Sequence, residues 1–162
     1  MHWAGILSRE SEEGSGTDVP VEGVQALDHT ADVGLEIAAD ELEGLFARAA
    51  LGMMHLILEA PLPDPVEEHP VRAHGQGPDG LLRNWLREVL YLHEADGLAV
   101  SSVAFHHVAK DPDGDGGWTL QARVAGGLNP APPAREIKGV TWHGLVVERR
   151  ADGWFARVIF DV

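Results

Sequence analysis

At 162 residues the chain is about one domain long, and its 44% apolar and 23% charged residues are ordinary for a globular protein. It has no cysteine, which excludes a disulfide framework, thiolate metal sites and a cysteine nucleophile. The formal net charge of −14 argues against direct nucleic-acid binding, which rests on Lys and Arg neutralising phosphates, and favours cations and basic protein surfaces as partners. No apolar run is long enough to span a membrane. The first residues lack the basic segment and apolar stretch of a secretion signal, so a cytoplasmic location is expected.

Residues 1–20, rich in Ser, Gly and Glu, show no sustained period and read as a disordered extension. A single domain is expected over 21–162. Val24 and Ala26, then Val33, Leu35 and Ile37, alternate as half-buried strands do, with DHTAD between them. Asp40 with Glu43 has the spacing of a capping box, and Leu42, Leu45, Phe46, Ala49, Met53, Leu56 and Ile57 follow at helical spacing. Gly52 weakens that helix by about 1 kcal/mol relative to Ala, a cost that close packing against a sheet would offset. Pro61, Pro63 and Pro65 end it. A weak strand over Val66–Ala73 is an edge strand, because Pro70 cannot donate to a ladder.

Pro78 and Asp79 open a second helix with an apolar face of Leu81, Leu82, Trp85, Leu86, Val89 and Leu90, stopped by Gly97. Leu98–Lys110, Trp118–Val124, Ile137–Glu148 and Trp154–Val162 read as strands, the last two joined by the hairpin signal Asp152-Gly153. The order ββ-α-β-α-ββββ predicts an α+β two-layer sandwich, with both helices on one face of a largely antiparallel sheet.

Several motifs tempt a chemical reading and fail. Asp111, Asp113, Asp115 and Gly116 match the first half of a calcium loop, but the position that needs a bidentate Glu is Ala122, and strands rather than helices flank it. His106 and His107 are neighbours on a strand and should point to opposite faces, so they cannot clasp one ion. Walker, Gly-x-Gly-x-x-Gly, His-Glu-x-x-His and Gly-x-Ser-x-Gly signatures are absent.

DHTADVG (Asp28–Gly34) concentrates Asp28, His29, Thr30 and Asp32 at a strand junction. Turn chemistry that caps its own backbone uses the same residue types and accounts for the segment equally well. At the other end, Val158, Ile159 and Phe160 run directly into Asp161 and Val162. If that strand lies beside DHTAD, Asp32, Asp161 and the carboxylate of Val162 repel one another unless a cation balances them. Hard oxygen ligands suit Ca²⁺ first and Mg²⁺ second; a frayed, solvated tail is the alternative. Lys138 is one of two lysines, suited either to countering those carboxylates or to guarding an edge strand. His143, on the same stretch, is a secondary candidate as a proton carrier.

Together DHTADVG, LLRNWLREVLYLHE (Leu81–Glu94), and IKGVTWHG (Ile137–Gly144) with the closing DV resemble the archease family over about Val24–Val162. The resemblance implies an α+β sandwich and an accessory role rather than an enzymatic one. Archeases activate an RtcB-type RNA ligase that joins ends bearing a 2′,3′-cyclic or 3′-phosphate in tRNA splicing and RNA repair. They promote guanylylation of the ligase's histidine by GTP and so permit multiple turnover, with GTP and RNA held by the ligase. The family's metal site falls on Asp32, Asp161 and Val162, and its lysine on Lys138. Gly139 and Trp142 depart from the family's Ala and Tyr. The rival reading is a small metal-dependent phosphoesterase-like enzyme using Asp32 and Asp161, with His29 or His143 as acid–base.

Overall fold

The computed structural model describes residues 19–28, 32–128 and 132–162. The alternating segments at the start form β1 (Val24–Asp28) and β2 (Asp32–Ala39), followed by α1 (Leu42–Leu58), β3 (Glu67–Gln76) and α2 (Gly77–Asp96). Then come β4 (Leu98–Lys110), β5 (Gly117–Leu128), β6 (Gly139–Val140), β7 (Val146–Arg150) and β8 (Gly153–Asp161). The class is α+β with antiparallel pairing throughout. The single expected sheet is instead two. One has five strands in the order β1-β2-β8-β6, with β7 also on β8, and the other has three in the order β3-β5-β4. Strand periodicity shows that one face is buried but not which strands share a ladder, so the division was invisible locally.

Three local expectations are also corrected. The strand expected over Ile137–Glu148 is β6 and β7 with a break between them. The Thr141 N–H bonds Ile159 O at 3.0 Å and the Leu145 N–H bonds Trp142 O at 3.3 Å, closing a turn in which Gly144 has φ 68°. That left-handed φ suits glycine and interrupts the extended run. Secondly, Asp40 does not cap α1. The N-cap is Glu41, with no side-chain bond to the helix, and the Leu45 N–H reaches Glu41 O at 3.0 Å. Thirdly, β4 carries an irregularity between Phe105 and His107, so alternation fails there and His106 and His107 are both exposed.

Other expectations match. β3 is an edge strand, with Pro70 opposite Arg123. α2 ends where Gly97 takes φ 70°, its N–H returning to His93 O. Gly52 fits the close helix–sheet approach: a Cβ there would sit 2.9 Å from Leu35 Cδ1 and 3.1 Å from Val24 Cγ1.

One apolar core joins both helices and both sheets. Leu45, Phe46, Met53 and Ile57 of α1 and Leu81, Trp85 and Val89 of α2 are buried with Leu35, Val100, Val124 and Phe160. Val19 is also buried, so packing begins at the last residues of the segment read as an extension. Among the described residues no polar side chain is buried and no helix is long and apolar enough to cross a membrane.

His55, in the last turn of α1, is partly buried, and desolvation lowers its pKa from the ordinary 6.5. The unfolded chain therefore takes up this proton more readily than the folded one. Stability should fall as pH drops through 6.5 towards the lowered folded value, and this group should have no effect well above pH 6.5. Urea midpoints of the wild type and His55→Gln, compared across pH 5–8, should diverge on acidification, the wild type losing more. Parallel curves would remove His55 as the cause.

Candidate metal centre

The candidate centre is built by the pairing of β2 with β8. Their register sets Asp32 opposite Asp161, Gly34 opposite Ile159 and Leu35 opposite Val158. Directly opposed residues of an antiparallel pair share a face, with Cβ atoms about 4.5–5.5 Å apart. The two carboxylates thus stand side by side on the face away from buried Val33 and Phe160. Asp32 is half-buried and Asp161 exposed. Neither has an ion-pair partner within 4.0 Å among the described residues. Two like charges at this spacing, without a cation to balance them, are unfavourable unless something else compensates.

On its other side Asp161 pairs with Gly139. A Cβ at Gly139 would meet nothing within 4 Å, so the flank of Asp161 is open space. The Lys138 N–H donates to Asp161 O at 2.6 Å, anchoring the Lys138 backbone at the strand end, while its side chain is exposed. Val162 follows Asp161 and is 39% exposed. Among the described residues no three His, Cys, Asp or Glu side chains cluster to hold a metal. A cation would therefore draw on the Asp32 and Asp161 carboxylates and on main-chain oxygen at Val162, the hard-oxygen chemistry that Ca²⁺ and Mg²⁺ accept.

His143 does not share a strand with Lys138. It lies, exposed, in the turn between β6 and β7. That turn folds over the face carrying the acid pair, since a Cβ on Gly144 would lie 3.3 Å from Ile159 Cγ1. Its position is fixed from α2. Arg83 Nε donates to Val140 O at 2.9 Å, and the Arg83 guanidinium stacks 4.6 Å from the Trp142 ring centroid. The motif reading missed Arg83, whose signal was only that it sits beside the apolar stripe of α2. His29 and Thr30 lie outside the described residues.

Asp111 and Asp115 are engaged in their own hairpin. Asp115 Oδ1 accepts the Gly117 N–H at 3.0 Å, and Asp111 Oδ1 accepts the Thr119 hydroxyl at 3.4 Å. The segment joins β4 to β5 and serves as a turn, as its residue types allow.

Residues 25–162 match the Archease protein family (MTH1598/TM1083). The chain belongs to the archease family. It is 32% identical over 143 residues to protein archease of Methanopyrus kandleri, covering 85% of this chain and 98% of that one. It is 30% identical over 139 residues to protein archease of Pyrococcus furiosus, with 83% and 95% covered. The solution structure of Methanobacterium thermoautotrophicum protein 1598 superposes with a TM-score of 0.69 at 30% identity, covering 86% of this chain and 99% of that one. A Thermotoga maritima archease, described as a possible chaperone, shares the fold at a TM-score of 0.53 and 21% identity, over 84% and 94% of the two chains.

Proposed function

We propose that this archease is a protein activator of an RtcB-type RNA ligase, acting in the cytoplasm in tRNA splicing and RNA repair. It promotes GTP-dependent guanylylation of the ligase's histidine and so multiple turnover. The observation that carries the reading is the Asp32–Asp161 register pair, with Lys138 tied to Asp161 and an open flank beside it. Asp32, Asp161 and Val162 would hold a divalent cation, Ca²⁺ before Mg²⁺, which when bound supplies concentrated positive charge at an otherwise anionic strand end. Lys138, exposed beside it, offers a mobile cation to an anionic group of the ligase site, and His143 lies on the adjoining turn. The acidic surface suits a basic partner and speeds the encounter. The ligase carries out the covalent step on its own histidine.

The test is ligation of 3′-phosphate RNA ends by the ligase with GTP under multiple-turnover conditions. The wild type should stimulate turnover, and Asp32→Ala, Asp161→Ala and Lys138→Ala should each lose at least about tenfold of it. Calcium calorimetry on Asp32→Asn should show weakened binding, since affinity follows the charge count of the ligands. Absence of stimulation by the wild type overturns the activator reading; equal stimulation by all variants overturns the site. Turnover of phosphoesters by this chain alone would replace it with the phosphoesterase reading.

A further inference from the structure

A second concave site lies between β3, α2 and the chain entering β6, a cleft of about 690 Å³. Arg72 comes from β3, Asn84, Arg87 and Tyr91 from α2, and Lys138 from beside β6. Its volume is that of small-molecule sites in general. Its charge is opposite to the rest of the protein. In a chain with 12 basic against 26 acidic residues, three cations line one cleft, and none of the three has an ion-pair partner within 4.0 Å among the described residues. Glu88 and Glu94 also line it without closing on those cations.

Holding unpaired cations together is unfavourable. Outside the cleft, burial lowers the pKa of Arg83, and repulsion by Arg87, one turn away on α2, lowers it further. A protein so rich in carboxylates had ample means to neutralise the cleft, yet among the described residues Arg123, Arg135, Arg150 and Arg157 are the arginines that carry ion pairs. Guanidinium forks from two elements and an ammonium from a third are the donor set that recognises phosphate oxygens. Tyr91, 64% exposed on the cleft wall, supplies an apolar aromatic face beside them.

We propose that this cleft binds a nucleoside phosphate, with Arg72, Arg87 and Lys138 on the phosphate oxygens and the Tyr91 ring beneath the base. No linear motif announces it, because its cations come from positions 72, 87 and 138. The inference goes beyond the activator reading and shares with it only Lys138, so its test uses the other residues and excludes divalent cations. ADP, pyrophosphate and adenosine are titrated calorimetrically into the full chain in EDTA at low salt, where no metal can link phosphate to Asp32 and Asp161.

ADP should bind more tightly than pyrophosphate, adenosine should not bind measurably, and raising the salt should weaken ADP binding. Arg72→Gln with Arg87→Gln should weaken ADP at least about tenfold, with an unchanged thermal midpoint because both side chains are exposed. Tyr91→Ala should reduce ADP affinity to that of pyrophosphate. No ADP binding by the wild type, or equal binding by the double variant, overturns the proposal. Neither result bears on ligase stimulation by the Asp32 and Asp161 variants.

Discussion

Trp85→Ala should lower stability by about 3–5 kcal/mol, the range for removing a buried large aromatic, and the thermal midpoint by about 10 °C for a domain of this size. The ring is fully buried at the junction of the two helices. Its Nε1–H donates to Phe46 O of α1 at 2.9 Å, and its ring lies 5.4 Å from that of Phe105 on β4. One side chain therefore links α1, α2 and the three-stranded sheet. Its removal leaves a cavity that three separately anchored elements cannot readily close. Trp85→Phe keeps most of the volume and loses the bond, and should cost about 1–2 kcal/mol. Urea unfolding of both variants separates the contributions. Equal losses would show that the hydrogen bond, not the filled space, matters at this junction.

Gly34→Ala should destabilise by about 2–3 kcal/mol, near the top of the range for overpacking, and should disturb the acid pair as well. A Cβ at Gly34 would lie 2.5 Å from Val158 O and 2.8 Å from Ile159 Cδ1. The Ile159 side chain can shift, but the Val158 carbonyl belongs to β8, and moving it means separating β8 from β2. Asp32 opposite Asp161 lies two register positions away on the same ladder. If calcium is held as proposed, the variant should therefore bind it more weakly than the wild type even though both carboxylates remain. Val33→Ala, which removes core volume without crowding the pair, is the control: it should lose stability but retain the wild-type calcium affinity. If Gly34→Ala is as stable as the wild type, the two strands have room that their backbone contacts deny.

The glycine of DHTADVG thus has a physical role that the motif alone did not disclose, close approach of two backbones. Elsewhere the sequence spoke more directly. The stripe from Leu81 to Leu90, closed by Gly97, reported a helix and its end, since both signals lie within a few residues of each other. The stretch Ile137–Glu148 misled because its apolar residues alternate. The bonds that break it come from Ile159 and from the turn closed by Leu145, and periodicity does not contain them. The capping pair Asp40 and Glu43 failed for a similar reason: the chain leaves β2 in a geometry that makes Glu41 the first cap.

What the sequence determined by itself is both helices and most of the strands, the edge character of β3, the family, and the candidates Asp32, Asp161, Val162, Lys138 and His143. Each is set by local periodicity, by proline or glycine chemistry, or by a contiguous motif. Tertiary structure alone decided that the eight strands of the described residues divide into two sheets, that Asp32 faces Asp161 across a ladder, and that Arg83 holds the Trp142 turn. It also decided that Arg72, Arg87 and Lys138 line one cleft. The reason is that periodicity reports which face of an element is buried, whereas strand partners and clefts depend on which distant segments share the burial.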